Sequence, residues 1–140
     1  MSIAPYLSSL GIGAVAGLRS MTAPAATLLS AGNSWAPLAM ALAAGELVAD
    51  KLPQTPSRLL PAALLFRILS GAYCGGEIAT RRHASRLTGS ALGAAGAVAA
   101  AYGGYGLRKY LTETLRLPAF PVAACEDGIA VLAARASVAP

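Results

Sequence analysis

Apolar residues in this chain fall in long blocks, not at the three-and-four spacing of helices with one wet face. The first block runs from about Ile3 to Ala31 and is interrupted by Arg19-Ser20-Met21-Thr22, with Pro24 just after. Proline is tolerated in the first turn of a helix, where its missing N–H would be unpaired anyway. Thr22 could therefore cap a second helix from Ala23 to Ser30, and the region reads as one kinked span or two half-helices. A turn at Ala31-Gly32-Asn33-Ser34 leads to a helix from Trp35 to about Lys51, with Ser34 as a cap and Pro53 as the stop. After the polar linker Gln54 to Arg58, a third helix runs from Leu59 to about Ala79. A basic loop with Arg81, Arg82, His83 and Arg86 follows. A fourth helix covers Thr88 to about Leu107, a polar connection Arg108 to Pro118, and a last helix Ala119 to about Ser137.

Blocks of this kind predict an all-α integral membrane bundle, a single transmembrane domain over residues 1–140 with about five spans, the first broken near Arg19 to Pro24. Composition points the same way. Of the 140 residues 56% are hydrophobic and 12% charged, against about 25% charged in an ordinary soluble domain, and mean hydropathy is +0.59. The alternative is an alanine-rich soluble bundle, but most segments lack the polar face that one needs. The apolar character comes largely from Ala and Gly, which favour close helix approach. Small-xxx-small pairs recur at Gly13/Gly17, Gly71/Gly75 and Gly89/Gly93, so a compact bundle and a homo-oligomer are expected.

The net charge of +5 sits mostly on arginines flanking apolar runs, without interleaved aromatics. That suits headgroup anchoring in a lipid bilayer better than nucleic acid. The N-terminus lacks the basic region of a signal peptide, and the expected location is the bacterial inner membrane. Cys74 and Cys125 lie in apolar segments outside any metal-ligand spacing and read as small buried side chains. No grouping of Ser, His, Asp or Cys suggests a nucleophile, and no phosphate loop or cofactor motif is present. The chain does not read as an enzyme.

The candidate chemistry is in acids placed among apolar residues. Glu46 and Asp50 share a helix face at i, i+4; Glu126 and Asp127 are adjacent, so they point in different directions around their helix. Such groups are costly in hydrocarbon and tend to face a bundle interior, pair with cations or line a path. Glu46 and Asp50 suit a proton relay or an oxygen-ligand site for a small cation, although the spacing names no metal. Arg19 and Arg67 are the natural counterions, and one salt bridge is expected from this set to the Glu46/Glu126 set. Gly17-Leu18-Arg19 and Gly106-Leu107-Arg108 each close a glycine-rich helix that precedes an acidic one, a weak internal repeat of the kind transporters are built from.

These residues resemble a family of bacterial membrane proteins catalogued as domain of unknown function 4126. The matching elements are Gly17-Leu18-Arg19-Ser20, Glu46 through Pro53 (Glu-Leu-Val-Ala-Asp-Lys-Leu-Pro), Arg67 with Ser70-Gly71, and Glu126-Asp127. The resemblance implies an integral membrane protein and carries no established activity. A looser likeness is to the cation/proton exchangers of the uncharacterised protein family sixteen, whose Glu-hydrophobic-Gly-Asp-Lys/Arg motif is one residue shorter between its acids.

The expected function is a small transporter or channel-like protein for an ion or small solute, with Glu46, Asp50, Glu126 and Asp127 along the path and Arg19 and Arg67 balancing charge. The alternative is a non-transporting scaffold whose buried Arg–carboxylate pairs dock helices or subunits. A wet cavity touching Glu46 and Glu126 would favour the first; a dry, paired cluster would favour the second.

Overall fold

The computed structural model describes residues 2–49 and 60–140. Asp50, Lys51 and Pro53, and the linker Gln54 to Arg58, lie outside the described residues. The described residues form six α-helices: α1 (Ala4–Leu18), α2 (Thr22–Ser30), α3 (Ala36–Ala49), α4 (Pro61–Arg81), α5 (Arg86–Lys109) and α6 (Ala119–Val138). A π-helical turn, Tyr110–Thr114, continues α5 where a polar connection was expected. Among the described residues there is no strand.

The first apolar block is two helices, not one kinked span. Arg19 at the end of α1 is extended, with φ −142° and ψ 107°. At the far end of α2, Gly32 takes φ +62°, and the N–H of Asn33 reaches back to the Leu28 carbonyl at 3.0 Å. A residue in the left-handed region is what stops a helix this way, and glycine enters it without a Cβ penalty.

Helices α1, α4 and α5 form the tightly packed centre, and glycine sets their spacing. A Cβ on Gly13 would stand 2.1 Å from the Gly93 carbonyl oxygen, one on Gly75 2.4 Å from that of Gly89, and one on Gly93 2.0 Å from that of Gly71. Gly17 and Gly96 are equally confined, against Ala97 and Leu10. The backbones of α1 and α4 thus both lie against α5 at distances that no side chain would allow. Helices α2 and α6 pack against this trio, and α3 packs mainly on α2, through Ala25, Ala39 and Ala43 with Met21 and Leu28.

The distribution of side-chain size is inverted relative to a soluble bundle. The interior is mostly Ala, Gly, Ser, Thr and Cys with Ile12, Val15, Ile78 and Arg67, and among the described residues the largest fully buried side chain is Arg19. Helix α4 turns Arg67, Ser70, Gly71, Cys74 and Gly75 inward and presents Leu65, Phe66, Leu69 and Tyr73 outward, each roughly half exposed. Leu7, Leu38, Leu42, Ile129 and Leu132 face out on the other helices. α4 is also the one helix among the described residues long and apolar enough to cross a membrane; α1 and α3 are apolar but shorter. Glycine, serine, threonine and tyrosine, with basic residues at its ends, keep the hydropathy of α5 low, and α6 carries Glu126, Asp127 and Arg135.

Candidate functional site at the helix break

The interruption between α1 and α2 leaves helix-end groups facing each other: late carbonyls of α1 and the first N–H groups of α2. Thr22 does not cap α2; the helix begins at Thr22 behind Met21, with no side-chain cap from the adjoining residues. The cap comes from α3. Glu46 Oε1 accepts the Ser20 backbone N–H at 2.8 Å and the Ser20 hydroxyl at 2.6 Å, and Oε2 accepts the Met21 N–H at 2.8 Å. Opposite, Arg67 on α4 donates from Nη1 to the Gly17 carbonyl at 2.8 Å, and its Nη2 lies 3.7 Å from Glu46 Oε1. Ser70, one turn along α4, donates to the Ser20 carbonyl at 2.9 Å.

The signs follow the helix dipoles. The carboxylate stands at the N-terminus of α2 and the guanidinium at the C-terminus of α1, each the favoured charge for its end. Arg81 completes the pattern by donating to the Thr27 carbonyl at 3.0 Å and to the Ser30 hydroxyl at 2.9 Å at the other end of α2. With nine residues, α2 is too short to hold together unaided, since isolated helices below about 12–15 residues are marginal. Its two ends are fixed by charges borrowed from α3 and α4.

Arg19 is completely buried and forms an ion pair with Asp127 of α6. Arg67–Glu46 is a pairing expected from the sequence, whereas Arg19 reaches Asp127 and not Glu126. Glu126 turns the other way, 4.0 Å from Arg108, whose side chain is 29% exposed. Both arginines of the Gly-Leu-Arg tripeptides therefore end on the adjacent acids of α6. Among the described residues, the break gathers Arg19, Glu46, Arg67 and Asp127 from α3, α4, α6 and the α1–α2 junction, two cations and two anions. Glu46 and Asp127 keep 14% and 15% of their side chains exposed. Asp50 lies outside the described residues.

A cavity of about 410 Å³ lies between α5, the π-helical turn and α6. Its wall is almost wholly apolar, with Leu107, Leu111, Val122 and Ile129 beside Glu126 and Arg108. Glu46 is not in its wall. Cys125 is, and it is exposed, unlike the buried Cys74, so the expectation of two buried cysteines fails for Cys125. Among the described residues no group of His, Cys, Asp and Glu is placed to hold a metal ion.

The hydroxyls of Ser20 and Ser70 were not singled out as site residues, although both stand in the motifs quoted above. Their signal is spacing: Ser70 follows Arg67 by three residues, on the same face of an otherwise apolar helix. No family model matches the chain, and neither a curated protein nor a solved structure does.

Proposed function

We propose that this chain is a multi-pass protein of the bacterial inner membrane that moves an ion or small solute, with the α1–α2 break as its working part. The membrane setting is supported by the inverted packing. Large apolar side chains stand exposed on α1, α3, α4 and α6, and small residues inside with large ones outside suit helices surrounded by lipid. About five spans and a homo-oligomer belong to this reading, as does membership of the family of unknown function 4126. Gly17, Arg19, Ser20, Glu46, Arg67, Ser70 and Asp127, drawn from all four quoted motifs, meet at one place.

The observation that carries the transport reading is the interrupted helix with charged side chains from three other helices gathered at it. Irregular backbone at membrane depth survives only inside protein or beside water, and broken helices with their ends aimed at a charged group are how secondary transporters build sites. Buried ion pairs can often be replaced by apolar residues with no loss of stability, so two such pairs at a helix break suit work more than rigidity. The expected device is rearrangement of α3 and α6, which carry the acids, against the glycine-packed trio.

The scaffold reading keeps one specific support. Each carboxylate at the break is already paired, and the 410 Å³ cavity does not extend to Glu46, as expected of a clamp or of a closed state. Flux separates the two. In proteoliposomes screened across ions and pH, a transporter shows gradient-driven flux that Glu46→Gln abolishes while the variant stays folded. A scaffold shows no flux in the native protein, and Glu46→Gln lowers its melting temperature or oligomer recovery.

A further inference from the structure

We infer that the cavity between α5, the π-helical turn and α6 takes one acyl chain of an anionic phospholipid, with Arg108 meeting the phosphate. Its volume, about 410 Å³, lies within the range of small-molecule sites, roughly 300–1,000 Å³. Leu18 of α1 joins Leu107, Leu111, Val122 and Ile129 in a wall that is apolar except at Arg108 and Glu126, and the cavity opens to the outside of the bundle. Such a wall takes hydrocarbon, and it has no hydrogen bonds to repay the desolvation of a sugar or a hydrated ion. One end of it is fixed by the backbone. Arg116 enters the left-handed region at φ +53°, and the Leu117 N–H returns to the Leu111 carbonyl at 3.0 Å, tying together two residues of the wall.

Charge selects the head. Arg108 is 29% exposed and Glu126 12%, so the cation is the more accessible of the two. Among the described residues the ion-pair partner of Arg108 is Glu126 at 4.0 Å, too far for a hydrogen bond. The guanidinium therefore keeps its planar fork of N–H donors, which matches a phosphate. Lys109 adjoins Arg108 and Arg116 adjoins Leu117, both exposed, and Tyr105 and Tyr110 are exposed on the same stretch. Basic residues with tyrosine mark headgroup level, and basic residues there attract anionic lipid. A phosphate at Arg108 thus places its own acyl chain at the apolar wall beside it. The inference rests on the membrane setting of the proposed function and is independent of transport.

Cys125 reports occupancy. It is exposed and stands in the wall, whereas Cys74 is fully buried, so an uncharged maleimide should label Cys125, with Cys125→Ser as the blank. The full chain in neutral maltoside micelles is titrated with phosphatidylglycerol, with phosphatidylcholine of the same acyl chains, with oleate and with inorganic phosphate. Phosphatidylglycerol should slow labelling saturably, by about tenfold at ten times its dissociation constant. Phosphatidylcholine, whose choline offsets the phosphate charge, should bind more weakly, and phosphate alone should not protect. Arg108→Gln should weaken phosphatidylglycerol about tenfold, the loss of one charge-assisted hydrogen bond.

Labelling indifferent to every lipid, protection that never saturates, or equal protection by the two phospholipids overturns the proposal. Stronger protection by oleate overturns a phospholipid as the occupant. Native mass spectrometry of the unaltered chain adds a count: one retained phosphatidylglycerol per chain supports the site, and none counts against it. A chain that stays dispersed without detergent would refute the membrane setting itself. A detergent-requiring chain whose Cys125 ignores lipid would refute this site alone.

Discussion

Oε1 of Glu46 accepts both the backbone N–H and the hydroxyl of Ser20, at 2.8 and 2.6 Å. An N-terminal cap normally comes from the residue just before the helix. Here it comes from another helix, 26 residues later in the chain, so the secondary structure of α2 depends on the tertiary position of α3.

Ser20→Ala deletes one of these hydrogen bonds and leaves the backbone donors. Hydrogen bonds to charged groups contribute about 1.5–3 kcal/mol each, so a loss near the lower end is expected. Equilibrium unfolding in mixed detergent measures it. Glu46→Ala, which removes all the contacts, should cost clearly more; equal effects would mean that the backbone donors and Arg67 add nothing beyond the hydroxyl.

Arg19 and Asp127 make the most deeply buried pair. Arg19→Met alone leaves the acid of α6 beside an apolar interior and should cost about 3–5 kcal/mol. The double variant Arg19→Met/Asp127→Leu should regain most of that, because pair and apolar replacement are near break-even. A restored melt with lost flux would assign the pair to function; a double variant no more stable than the single would show that Arg19 matters through other contacts.

Within α5, Gly93 and Gly103 make opposite predictions. Gly93→Ala puts a Cβ 2.0 Å from the Gly71 oxygen and forces α4 away, with an expected loss of about 1–3 kcal/mol from overpacking. Gly103 has nothing within 4 Å of its would-be Cβ, so Gly103→Ala should gain about 0.5–1 kcal/mol from backbone entropy. Melting temperatures of the two variants, measured side by side, should move in opposite directions.

Much of the helical organisation was legible in the chain. The six helices sit near the blocks that apolar runs, Pro and turn residues marked, because those signals act within a few residues. The interruption at Arg19 to Thr22 was visible for the same reason. Legible too were the glycines of α1, α4 and α5, since four-residue spacing puts them on one helix face before any partner is known. The extension of α5 through the π-helical turn was not legible, because Arg108 to Thr114 is polar enough to read as a loop.

What the sequence alone determined is which residues are too polar for their surroundings: Arg19, Glu46, Asp50, Arg67, Glu126 and Asp127 need partners wherever the chain places them. Only the tertiary structure decided the pairing. It sent Arg19 to Asp127 and not Glu126, put Glu46 on the amides of the break, and turned Cys125 outward. The reason is physical. A charge in an apolar segment is fixed by one residue, whereas its partner depends on how three glycine-spaced helices bring distant segments within a few ångströms.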